Sequence, residues 1–216
     1  MTELQKIFSE FMYWAEGFSA FTSVIYFNRI KKQYWKYLAL YLIVIFLCES
    51  SVKWGEQTLG IHRVKFYNYF VIPLQFIFFY WLYAKQSLKS TKLFYTFTAI
   101  YLFSFIPTAL FFPVAKKVVF PFNYTLGCLL LMILVIMEYY KQVNSSEILN
   151  FSKNKMFYIN LGVTLFYIGT LPLMTFTSLL WQYREIWDLY FVYFQVSGAA
   201  MYILFSISFI WGKQNS

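Results

Sequence analysis

Residues 118–137, VVFPFNYTLGCLLLMILVIM, run for twenty positions without a formal charge and end against Glu138, Tyr139, Tyr140 and Lys141. As a helix rising 1.5 Å per residue the stretch covers about 30 Å, the thickness of bilayer hydrocarbon, whereas a buried strand stops after about eight residues. It reads as a transmembrane helix. Once one segment lies in lipid, every connection becomes a loop at one bilayer surface or the other, because unpaired backbone cannot sit in hydrocarbon.

The rest of the chain repeats the pattern. Hydrophobic residues make up 60% of the 216 positions and charged residues 12%, against roughly 25% charged in a soluble domain. Seven segments of this kind, at about 9–28, 37–54, 66–84, 93–112, 118–140, 156–180 and 189–211, account for nearly the whole length. The expectation is therefore an all-α, polytopic membrane protein, a seven-helix bundle forming a single transmembrane domain over 1–216. The opening MTELQKIFSEF lacks the basic region and small-residue cleavage site of a signal peptide, so the first span is expected to be retained.

Charge sets the orientation. Arg29, Lys31, Lys32 and Lys36 form the densest basic cluster, and Lys85, Lys89, Lys92, Lys141, Lys153, Lys155 and Lys213 fall on the same side in a seven-span reading. That side holds eleven of the 18 basic residues and is expected to be cytoplasmic, with the N-terminus outside and the C-terminus inside. The net charge of +9 is dispersed among loops beside apolar spans, which points to lipid headgroups as partners and away from nucleic acid.

Local signals add detail. Pro107 removes a backbone donor within the fourth span and predicts a kink near residues 104–107, while Pro121 falls in the first turn of the fifth, where it costs little. The connection 141–155 is the longest, and its Ile148, Leu149 and Phe151 could lie on the membrane as a short amphipathic turn. Asn144-Ser145-Ser146 and Asn150-Phe151-Ser152 match the glycosylation pattern but fall in a loop placed on the cytoplasmic side. Cys48 and Cys128 sit in apolar segments without a short pairing motif, so neither a disulfide nor a metal site is expected. Small-residue patches at 17–20 and 197–200 are expected to allow close helix contacts, or to support dimerisation.

Depth picks out a candidate site. Glu16 and Gln195 each lie roughly 10 Å below the outer surface by helical rise, with Glu49 and Gln75 in the same half of the bilayer. Polar groups at such depth face a bundle interior, a cavity or a partner. Glu16, Glu49, Gln75 and Gln195 are therefore ligand- or partner-binding candidates, with Lys53 pairing to Glu49 one turn away and His62 near the mouth. The structural alternative is interhelical hydrogen bonding that fixes bundle geometry. If Glu16 and Glu49 meet, repulsion and desolvation would favour a shared proton. Near the inner surface Glu138 and Asn160 are candidates for a gate, against the plainer reading that Glu138 pairs with Lys141.

Other chemistries find no support. A single histidine excludes an HExxH arrangement, no GxSxG elbow or GxxxxGK[ST] loop is present, and the seventh span has no lysine for a retinal Schiff base. No catalytic residue, metal ligand or cofactor is assigned. An intramembrane acid–base enzyme using Glu16 and Glu49 would need a substrate held within hydrogen-bond reach.

The stretch FYINLGVTLFYIGT at 157–170 resembles a segment of uncharacterised small bacterial membrane proteins of Bacteroidetes type, some associated with sensor histidine kinases. The stretch from Asn68-Tyr69-Phe70 through Phe78-Phe79-Tyr80 is similar to an earlier helix of those proteins, so that the likeness covers about a fifth of the chain. The resemblance implies a multi-pass protein of the bacterial inner membrane that senses or assembles with a protein partner or a second copy. Two functional expectations follow: a non-enzymatic sensor or interaction subunit of a membrane complex, and a small carrier in which Pro107, Gly162, Gly169 and Pro172 permit helix motion.

Overall fold

The computed structural model describes residues 2–58, 62–111, 119–145 and 153–212. Pro113, Lys116, Lys117, Lys213 and the middle of the 141–155 connection lie outside them. Among the described residues every regular element is helical, and seven rods follow one another. They are α1 (Glu3–Ile25), α2 (Lys36–Thr58), α3 (63–87), α4 (91–111), α5 (Pro121–Val143), α6 (155–175) and α7 (Arg184–Ile210). Single turns at Phe27–Ile30 and Thr177–Leu180 join two of the connections.

Five of the rods, α2 and α4 to α7, are long and apolar enough to cross a membrane. The chain is a helical membrane protein. The rods α1 and α3 stand apart for local reasons: α1 carries Glu3, Lys6, Glu10 and Glu16, and α3 is divided among α and π segments. Helix ends also differ from the sequence-based spans, most at α1, which begins six residues before 9. There Thr2 accepts from the Gln5 amide while the Gln5 side chain accepts from the Thr2 amide, a reciprocal cap that starts the helix early.

α1 is built inside out. Its buried face holds Gln5, Glu16, Ser19, Thr22 and Ser23, whereas Leu4, Ile7, Phe11, Trp14, Phe18, Phe21 and Ile25, spaced alternately by three and four, are exposed. A soluble helix turns its apolar stripe inward and its polar face to water. The reversed arrangement suits a helix whose outer face meets lipid and whose polar side chains find partners among neighbours.

The main partner of α1 is α7, which also packs along α6. Gln5 donates to Asp188 Oδ1 at 2.9 Å at one end, and Arg29, just past α1, reaches the Ile210 carbonyl at 3.4 Å at the other. α1 and α7 thus run parallel to each other, and the up-and-down order of the rods gathers Arg29, Lys85, Lys141 and Lys155 at one end of the bundle. Small residues permit the close approach. A Cβ on Gly198 would stand 2.9 Å from Met12 of α1, and one on Gly162 of α6 would stand 3.2 Å from the Met201 Cα of α7.

Helix breaks are repaired by hydroxyl and amide groups. α4 is interrupted at Ser104, three residues before Pro107, as the missing donor requires. Asn123 of α5 bridges the break, donating to Ser104 Oγ at 2.7 Å with its carbonyl oxygen 2.5 Å from Thr108 Oγ1. In α6 the run Thr164–Ile168 is π-helical, and the Gly169 amide bonds back to Thr164 instead of Leu165. The Tyr193 hydroxyl of α7 donates to the freed Leu165 carbonyl at 3.0 Å.

Two outcomes are expected. Gly162→Ala pushes a methyl group against the Met201 backbone and lowers stability by about 1–3 kcal/mol, read as a lower unfolding midpoint in detergent micelles. Tyr193→Phe leaves the Leu165 carbonyl without its donor and costs about 1–3 kcal/mol by the same measurement. An unchanged midpoint for Tyr193→Phe would mean that another group already serves that carbonyl.

Candidate functional site

Within the end of the bundle opposite the Arg29–Lys155 cluster, every rod except α4 contributes to one cavity of about 460 Å³. That volume falls in the range of small-molecule sites, roughly 300–1,000 Å³. Glu16 of α1, Glu49 and Lys53 of α2, Gln75 of α3 and Gln195 of α7 all line it. Helical spacing explains the convergence: Glu16 belongs to the polar stripe that α1 turns inward, and Glu49 and Lys53 are one turn apart on the face of α2 that meets α1.

Their partners differ from the expected ones in part. Lys53 Nζ lies 2.6 Å from Glu10 Oε2 and 3.9 Å from the centre of the Tyr13 ring, so the ammonium turns toward α1 rather than toward Glu49. Glu10 and Tyr13, three residues apart, offer it an anion and an aromatic face together, which Glu49 on its own helix does not. Glu49 instead accepts from the Tyr67 hydroxyl and feels the charge of Arg63, whose guanidinium is 5.8 Å from the Tyr67 ring. Arg63 occupies the rim of the cavity, and the exposed His62 is not part of its lining.

The deepest groups are the least satisfied. Glu16 is 2% exposed, and its Oε1 has no hydrogen-bond partner. The Tyr202 hydroxyl lies beside this carboxyl, and the charges of Glu16 and Glu49 are near enough to interact. Gln195 is 3% exposed, its amide nitrogen donating to the Gln5 carbonyl at 3.0 Å. That bond fixes the orientation of the amide, since a carbonyl can only accept, and leaves Gln195 Oε1 without a partner. Gln75 accepts from the Tyr167 hydroxyl at 3.3 Å. The two ion pairs among the described residues are Lys53–Glu10 and Lys141–Glu138, so Glu16 belongs to neither.

Below the cavity the core is solid and aromatic. Tyr41, Phe79, Tyr167 and Phe205 are buried, with Tyr167 edge-on to Phe79 at 5.4 Å between ring centres and Phe79 tilted against Phe205 at 6.3 Å. A second groove of about 560 Å³ between α2 and α3 is apolar and carries the charge of Lys85 alone at its edge.

The two inner-side candidates are not joined. Glu138, 1% exposed, accepts from Ser87 Oγ at 2.6 Å and from Gln142 Nε2 at 3.1 Å, with Lys141 Nζ 3.6 Å away. Asn160 is fully buried on α6, and neither its Oδ1 nor its Nδ2 has a hydrogen-bond partner. Cys48 and Cys128 are both buried and free. Among the described residues no three His, Cys, Asp or Glu side chains are grouped so as to hold a metal ion.

Comparison of the chain with protein-family models, curated proteins and solved structures gave no match. The fold and its cavity define the class, a helical membrane protein with an acceptor-lined chamber, and function has to be argued from that geometry.

The two ion pairs are expected to differ in weight. Glu138→Ala removes the acceptor of Ser87 and Gln142 in a buried setting and lowers the unfolding midpoint by an amount equivalent to about 1–3 kcal/mol. Glu10→Ala removes a half-exposed pair worth at most about 1 kcal/mol. Detergent unfolding of the two variants side by side checks the order.

Proposed function

We propose that the protein is a non-enzymatic seven-span sensor of the bacterial inner membrane, with its N-terminus outside, its C-terminus cytoplasmic, and a small ligand held in the outward-opening cavity. The observation that carries this reading is the convergence of Glu16, Glu49, Lys53, Gln75 and Gln195, from four helices, on one chamber with two unpartnered acceptor oxygens. Unsatisfied buried polar atoms cost stability, so their presence in a chamber of ligand size favours a binding site over a purely structural network.

Two features support the span count and orientation. The inverted faces of α1 suit a helix in lipid, and α3, at 25 residues from 63 to 87, is long enough at about 37 Å to cross it. Seven crossings then bring Arg29, Lys31, Lys32, Lys36, Lys85, Lys89 and Lys141 to one surface, the basic cytoplasmic one. The exposed row of α1 from Leu4 to Ile25 is the surface offered to lipid and to a protein partner or second copy.

The aromatic floor favours sensing over transport. Tyr41, Phe79, Tyr167 and Phe205 are buried and packed ring against ring between the cavity and the basic end, which supports a closed floor in this conformation. One observation favours the carrier reading. Two walls of the cavity are irregular, since Tyr67 belongs to the π-helical segment Tyr67–Val71 and Phe166 to Thr164–Ile168, ahead of the Gly169–Pro172 break.

Cysteine labelling tests the proposal. In a protein carrying Cys48→Ala and Cys128→Ala, Ser9→Cys at the cavity wall is expected to react with a charged, membrane-impermeant methanethiosulfonate from outside right-side-out vesicles and not from inside. Reaction from the cytoplasmic side would overturn the orientation, and a cavity-blocking adduct that leaves solute uptake intact would count against the carrier.

A further inference from the structure

We infer that the cavity takes a small primary organic ammonium ion, its nitrogen at the Glu16 carboxylate and its apolar body against the rings of α6 and α7. This rests on the reading of the chamber as a ligand site and names the chemistry of its ligand.

Donors and acceptors decide the class. The two buried atoms without partners on residues that line the cavity, Glu16 Oε1 and Gln195 Oε1, are both oxygens that can accept, and Gln195 cannot rotate its amide without losing its bond to the Gln5 carbonyl. The donors nearest the buried acceptors are committed, Lys53 to Glu10, the Tyr67 hydroxyl to Glu49 and, behind Gln75, the Tyr167 hydroxyl to its carbonyl oxygen, while Arg63 is exposed at the mouth beside Tyr67. An anionic ligand would set acceptor against acceptor. A primary ammonium supplies three N–H donors, one for the open Glu16 oxygen and two for neighbouring acceptors, whereas a quaternary ammonium supplies none.

Charge agrees with this count. Glu10, Glu16 and Glu49 face the chamber against Lys53 and Arg63, which leaves one carboxylate in excess: Glu10 pairs with Lys53, Glu49 feels Arg63 and accepts from Tyr67, and Glu16 belongs to no ion pair. A buried carboxylate is stabilised by a cation that also hydrogen-bonds to it. Size and lining exclude a bare metal ion as the natural occupant. An alkali or alkaline-earth ion surrounds itself with six or so oxygens in a small cage, but about 460 Å³ walled by Met12, Phe166, Phe191 and Phe194 would stand mostly empty around it. Phe166 and Phe194, 5.1 Å between ring centres, and Phe191, stacked on Phe194 at 6.2 Å, offer faces for an apolar body and for cation–π attraction.

The test uses the full chain in lipid nanodiscs and three probes of one shape: 2-phenylethylammonium, 2-phenylethanol and 3-phenylpropanoate. Calorimetric titration is expected to show binding of the ammonium ion, with the alcohol weaker by about tenfold or more and the carboxylate not bound. Glu16→Gln is expected to weaken the ammonium by about ten- to hundredfold, and Gln195→Leu, which keeps Glu16, by several-fold. Unfolding midpoints of both variants without ligand separate lost binding from lost folding. If Glu16→Gln does not fold, the ranking of the three probes on the unchanged protein still decides.

Binding of the alcohol or the carboxylate as tightly as the ammonium overturns the inference. So does the absence of binding by every member of a primary-ammonium series from butylammonium to 3-phenylpropylammonium at millimolar concentration. Protection of Ser9→Cys from labelling by the carboxylate but not by the ammonium would leave the ligand chamber standing and reject its ammonium chemistry. If Ser9→Cys is unreactive from both sides and no probe binds, the chamber itself is rejected as well.

Discussion

A polar group that leaves water for hydrocarbon must find its partner inside the protein, and this one requirement shapes the bundle. It turns α1 inside out, so that Gln5, Glu16, Ser19, Thr22 and Ser23 lie against α7 and α2 while aromatic and aliphatic side chains face outward. Hydrophobic burial cannot drive that packing, because the lipid tails are as apolar as the side chains they would replace. Close backbone approach at Gly162 and Gly198, and hydrogen bonds such as Gln195 to the Gln5 carbonyl, supply the association instead.

The same requirement accounts for the repairs along the rods. Where Pro107 breaks α4, Asn123 and Thr108 bridge the gap, and where α6 becomes π-helical, Tyr193 serves the Leu165 carbonyl. Asn68 does likewise for the start of α5, accepting from the Phe120 amide at 3.0 Å. The economy is incomplete in two kinds of place. Asn160 and the hydroxyls of Tyr41, Tyr83 and Tyr101 lack partners within the packed core, whereas the open acceptors of Glu16 and Gln195 belong to residues that line a cavity of ligand size.

Much of the fold could be read from the sequence because apolar length and charge are local quantities. Uninterrupted runs gave the apolar helices, Pro107 located a break, and from the small-residue patches Gly17 meets the Phe46 ring and Gly198 the Met12 side chain. Helical rise placed Glu16, Glu49, Gln75 and Gln195 at similar depth, and depth is half of a site's geometry. Azimuth is the other half, and it is not written in one helix at a time. Lys53 was expected on Glu49 because both share a helix face, but the Glu10 carboxylate and the Tyr13 ring approach from α1, a neighbour forty-three positions away in the chain for the Lys53–Glu10 bond. Arg63 and Tyr67, one turn apart, carried a signal that the expected pocket left unused. Asn160 and Glu138 illustrate the converse, since equal depth did not join them. The π segment of α6 was illegible for a further reason, since the carbonyl it frees at Leu165 is served by Tyr193 from α7, a partner that the run itself does not announce.

Because α1 and α7 are partners, the bundle cannot close before α7 has been made. The bonds that seat them, Gln5 to Asp188 and Gln195 to Gln5, join positions 183 and 190 residues apart. Until α7 is made, Glu16 has α2 beside it and lacks the Tyr202 hydroxyl, so its carboxyl must wait for that partner. Loss of the C-terminal rod would then do more than shorten the chain: it would strand an acidic side chain in oil and present the cell's quality-control proteases with an unfinished ring.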